Sequence, residues 1–136
     1  MQASAPGANR FTRILCLLGL AAVPVLASAE GAVRILDCQA RQVCDAEGSC
    51  VTSAERVKFR LAPQAVRDDG SGSYEVSYQD KKASMQALSF AGPFYWATEK
   101  ERNTLLASSE VDFLWQSIQL APRQKSSLYF LKCTLS

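Results

Sequence analysis

The chain contains no histidine. That removes the imidazole base of the usual serine and cysteine triads, histidine-ligated metal sites and the side chain that titrates near neutral pH. The Ser-Lys alternative needs S-x-x-K, which does not occur. Also missing is any C-x-x-C pair of the kind thiol oxidoreductases and structural zinc sites use. Lysine and arginine form no cluster, so there is no electrostatic footprint for nucleic acid or anionic lipid. The expectation is a protein that is not an enzyme, holds no metal or other cofactor and binds no nucleic acid.

A long membrane-spanning run is lacking too. The longest apolar stretch, "ILCLLGLAAVPVL" at residues 14–26, covers roughly 20 Å as a helix against a hydrocarbon core of about 30 Å, and Pro24 interrupts it. It follows Arg10 and Arg13 and ends in Ala27-Ser28-Ala29, a small-x-small cleavage signature. The expected organisation is therefore a signal peptide over 1–29 and one domain over 30–136, with no integral membrane segment after cleavage. Cys16 would leave with the signal, and no cysteine follows the cleavage site to take a lipid. Of the 15 basic residues, Arg10 and Arg13 leave too, so the mature chain has 13 basic and 13 acidic groups and is formally neutral. Its 107 residues suffice for a single core that gains from cross-links.

Cys38, Cys44, Cys50 and Cys133 remain. An even number in a small exported chain implies two disulfides, formed in the periplasm or outside the cell. The spacing C-x5-C, twice over, fits neither zinc nor redox chemistry, and "DAEG" lacks the alternating oxygen ligands of a calcium loop.

What the chain has in quantity is alternation. "VKFRL" sets Val57, Phe59 and Leu61 on one face, "YEVSY" sets Tyr74, Val76 and Tyr78 together, and "VDFLW" does so with Val111, Phe113 and Trp115. Ile118 and Leu120 continue one register out of step, which predicts a β-bulge near Gln116 and Ser117. Tyr129, Leu131, Cys133 and Leu135 share a face at the end. Turn-rich segments such as "RDDGSGS", "QDKK" and "APRQKSS" separate these runs. About eight strands are predicted, near 32–38, 56–61, 73–78, 83–90, 94–98, 104–107, 111–120 and 128–135, with one helical turn over 61–66. The paired carboxylates Asp45 and Glu47, Asp68 and Asp69, and Glu99 and Glu101 all fall in predicted turns, where acidic residues serve turn formation rather than catalysis.

The predicted fold is all-β: a small antiparallel up-and-down β-barrel, or a sandwich, of about eight strands, stapled by disulfides. In a closed meander the first and last strands are neighbours, which predicts Cys38–Cys133 as a seam and Cys44–Cys50 across a hairpin with Gly48 at positive φ.

The order of signal peptide, cysteine-bearing first strand, acidic C-x5-C turn, β-only middle and a single late cysteine resembles a group of small uncharacterised exported proteins of Gram-negative bacteria. A weaker resemblance is to small periplasmic β-barrel inhibitors of lysozyme or secreted proteases. The inhibitors' Ser-Gly-x-x-Tyr loop is not matched: "SFAGPFYW" at 89–96 keeps a serine, a glycine and aromatics at a different spacing. The function expected is that of a periplasmic or secreted binding module whose partner is an envelope or extracellular protein. Inhibition of a lysozyme or protease, and carriage of a small apolar ligand, are the alternatives. In "GPFYWATEKER" consecutive strand residues face opposite ways, so burying Phe94 and Trp96 exposes Tyr95. Tyr95, with Lys100 or Arg102, is the predicted contact surface.

Overall fold

Strand forms over most of each alternating run and extends beyond several of them, while the run predicted at 83–90 ends at Ala87. The computed structural model describes residues 31–136; the expected signal peptide and Cys16 lie outside them. Nine strands follow in order: β1 Arg34–Asp45, β2 Cys50–Thr52, β3 Arg56–Val66, β4 Gly72–Tyr78, β5 Lys81–Ala87, β6 Phe94–Ala97, β7 Glu101–Ala107, β8 Asp112–Gln119 and β9 Lys125–Leu135. Among the described residues there is no α-helix, and so none long and apolar enough to cross a membrane. From β3 onward each strand pairs antiparallel with the next, β3 also pairs with β1, and β9 returns to β1 from Leu36↔Leu135 to Asp45↔Ser127. Eight strands thus close a barrel rather than a sandwich, and β2 hangs outside the ring on the far end of β1.

Both cysteine pairs are disulfides of the expected connectivity. Cys38 and Cys133 sit directly opposite each other on β1 and β9, so the bond ties the seam where the last strand meets the first. Cys44 faces Cys50 across the β1–β2 hairpin. Its turn is built by Asp45, whose Oδ1 accepts the backbone N–H groups of Glu47 and Ser49, and by Gly48 at φ 86°.

Three expectations change. Residues 61–66 make no helical turn; β3 runs on to Val66, and its ladder with β4 shifts between Pro63 and Ala65, where a residue without an N–H is tolerated. The first strand extends well past residue 38, with an irregularity at Ala40/Gln42 that turns the interior face from Ala40 to Val43. No bulge occurs near Gln116 and Ser117: β8 keeps continuous register with β7 and β9 throughout. Ile118 and Leu120 therefore point outward, and the interior positions at that end of β8 are Ser117 and Gln119.

The remaining interior is filled by side chains. Leu36, Phe59, Leu61, Tyr74, Val76, Met85, Phe94, Trp96, Leu105, Phe113, Trp115 and Leu131 are buried in one cluster. Phe59 lies at its centre, edge-on to Trp115 at 5.3 Å and to Trp96 at 6.1 Å between ring centroids. Burying each such side chain stabilises by about 1.5–3 kcal/mol, and edge-to-face pairs add about 0.5–1.5 kcal/mol. A barrel of eight strands has an interior just wide enough for this packing.

Candidate binding site

The barrel has two ends, and at one of them the interior turns polar. There β4 ends at Tyr78, a two-residue turn of Gln79 and Asp80 leads to Lys81, β7 begins with Glu101, and β8 and β9 meet at Gln119↔Lys125. Interior positions that would be apolar one layer deeper are Glu101, Asn103, Ser117, Gln119 and Ser127.

These groups form a chain of hydrogen bonds from the core to the rim. Trp115 Nε1 donates to Asn103 Oδ1 at 3.0 Å, and Asn103 Nδ2 donates to the Tyr78 hydroxyl at 3.4 Å. Tyr78 in turn donates to Glu101 Oε2 at 3.0 Å, while Lys81 donates to Glu101 Oε1 and lies 5.5 Å from the Tyr78 ring centre. Burial pushes the Tyr78 phenol up to about 12, reinforced by the neighbouring Glu101 carboxylate. Burial also pushes the Glu101 carboxyl up, but the hydrogen bonds from Lys81 and Tyr78 and the Lys81 charge outweigh it, and the net shift is downward. Glu101 is thus a half-buried ionised anchor on β7, not the solvated turn residue the sequence predicts. Tyr129, stacked on Trp115 at 4.5 Å, is raised by burial.

Above this network is a polar cup of about 180 Å³, lined by Gln79, Lys81, Glu101, Ser117, Gln119, Lys125 and Ser127 with the edges of Trp115 and Tyr129. Gln79 has φ 50°, a left-handed conformation unusual outside glycine.

The outer wall of β6–β9 is the second feature. Tyr95 is 47% exposed between buried Phe94 and Trp96, as the alternation requires. Tyr95 and Arg102 line one shallow hollow with Thr104, Gln116 and Ile118. Lys100 is not there; it sits in the β6–β7 turn, in a separate depression beside Lys81 and Glu101.

Compared with known protein families, characterised proteins and solved structures, the chain matches none. The two surfaces must be read from their own chemistry.

Beside the hollow, Leu106, Leu114 and Phe130 lie directly across from one another on β7, β8 and β9, facing outward, with Ile118 and Leu128 on the same side. The opposite wall is charged: Asp37 pairs with Arg56 at 3.2 Å and Lys58 at 3.8 Å, and Lys82 pairs with Glu75 at 3.2 Å. The sequence names Tyr95 and Arg102, which share the hollow, but not the leucines beside it. Their signal was the second apolar set, Leu106, Leu114, Ile118 and Phe130, left over once the interior face of each strand is assigned.

Proposed function

We propose that the chain is a non-enzymatic exported binding module that engages a partner protein of the cell envelope or extracellular space through the outer wall of β6–β9. The observation that carries this reading is the contiguous outward row of Leu106, Leu114 and Phe130, with Tyr95 and Leu128 in the next cross-strand row beside Thr104 and Gln116. Scattered surface leucines mean little, but an apolar centre with a polar rim is how protein interfaces are built. Here the rim is Arg102 at one end and the Lys132–Asp112 pair at the other.

Two disulfides are compatible with an oxidising compartment, and the apolar run with its small-x-small ending supplies the route of export. The filled barrel interior weighs against a carrier of an apolar ligand, because a calyx would have to displace the aromatic core.

The test places a photo-reactive phenylalanine analogue at Tyr95 or Leu114 in the full-length chain exported by its host, with the same group at Lys58 on the charged wall as reference. The reading expects one discrete adduct from positions 95 and 114 and none from 58. Adducts of equal yield from all three positions, or from none, would refute it.

A further inference from the structure

We propose that the polar cup at the end of the barrel binds a single carboxylate group, with Lys125 as its charge partner. The argument begins from what the cup has left to offer. Its own carboxylate is occupied: Glu101 Oε1 accepts from Lys81 and Oε2 from Tyr78. That pairing also balances the charge of Lys81. Lys125 lines the same cup and makes no ion pair among the described residues, so one positive charge stands uncompensated. Around it are the side chains of Gln79, Gln119, Ser117 and Ser127, none of which the Trp115–Asn103–Tyr78–Glu101 chain uses. An ammonium offers three donors and no acceptor, while each amide and hydroxyl can both donate and accept, so an anion can find donors around the Lys125 charge. A carboxylate, acceptor-only and singly charged, matches both the donors and the charge.

Size and stiffness agree. A volume of about 180 Å³ equals about six waters at about 30 Å³ each, enough for an acetate-sized group but not for a nucleotide. The floor is fixed by the hydrogen-bonded chain, and Gln79 at the rim is held in the tight two-residue turn between β4 and β5. The carboxylate can come from a free small acid or from an acidic side chain of a protein. This inference does not depend on the outer wall, which lies on other side chains.

The experiment is a titration of the 15N-labelled mature protein, followed by the backbone amides of Ser117, Gln119 and Ser127 and the Gln119 side-chain amide. Sodium acetate, its neutral isostere acetamide and a blocked Gly-Asp-Gly peptide are the probes. The proposal expects saturable shifts confined to the cup with acetate or with the peptide, none with acetamide, and at least tenfold weaker binding in Lys125→Ala but not in Lys58→Ala. Saturation by acetate assigns a free acid; saturation by the peptide alone assigns a protein side chain. Failure of both to saturate, equal response to acetamide, or undiminished binding in Lys125→Ala would overturn it. Lys125 is exposed at the start of β9, so its replacement leaves the fold intact, and the spectrum itself reports that.

Discussion

Asn103 is 3% exposed and its amide faces two partners, accepting from Trp115 and donating to Tyr78. A buried polar group costs little while paired and about 1–3 kcal/mol once orphaned. The two tryptophans of the barrel differ in just this respect. Trp115 Nε1 satisfies Asn103, whereas Trp96 Nε1 is buried without a well-formed hydrogen bond. Both Trp→Phe changes lose similar volume, but Trp115→Phe orphans Asn103 Oδ1, whereas after Trp96→Phe the nearby Tyr78 hydroxyl keeps its bonds to Asn103 and Glu101. Urea unfolding should therefore show Trp115→Phe less stable than Trp96→Phe by about 1–3 kcal/mol; equal midpoints would mean that the Trp115–Asn103 bond contributes nothing. Tyr78 gives a pH signature on the same chain. Its pKa is raised in the fold from 10.0 to about 12, so its contribution is whole below pH 10 and is lost as pH rises toward about 12. Ultraviolet titration of tyrosinate should show a late phase near pH 12 that disappears in Tyr78→Phe. An unchanged late phase in that variant would assign it to another residue.

At the level of strands, the disulfides do unequal work. In the chain-entropy model the seam bond closes a loop of 95 residues, worth roughly 4–5 kcal/mol, and the hairpin bond one of 6, worth roughly 2 kcal/mol. Denaturant midpoints should fall about twice as far in a Cys38→Ala, Cys133→Ala variant as in a Cys44→Ala, Cys50→Ala variant. Equal losses would contradict the seam as the stronger constraint. The connectivity was legible because a meander that closes makes its first and last strands neighbours, and β4, β6 and β9 were legible because period two survives in them. Other parts were hidden by physical causes that alternation does not record. β1 changes its interior face at Ala40/Gln42, which breaks the pattern in mid-strand. Pro63 forbids an ordinary ladder position, yet a register shift accommodates it. The out-of-step Ile118 and Leu120 implied a bulge, when the register is straight and the interior polar. That polar interior is the candidate site, so the mismatch between pattern and core was its trace in the sequence.

On the scale of the molecule, the barrel has two unlike walls. Around β1, β3, β4 and β5 the outside carries Asp37, Arg56, Lys58, Glu75 and Lys82 in ion pairs. Exposed pairs of this kind stabilise by about 0–1 kcal/mol and chiefly keep the surface wet. Across β6–β9 the outside sets Tyr95, Leu106, Leu114, Ile118, Leu128 and Phe130 among Arg102, Thr104, Gln116 and the Asp112–Lys132 pair, and its apolar side chains lose about 25 cal/mol per Å² by staying in water. The proposed partner would meet the outside of the barrel, because the aromatic core is full, and this wall is where covering apolar surface gains the most. The most direct test is Leu114→Glu, which sets a charge at the centre of the row on a side chain the core does not use. Photo-adduct yield from position 95 should fall at least tenfold in this variant, with the unfolding midpoint unchanged. An undiminished yield from the folded variant would contradict binding through this wall.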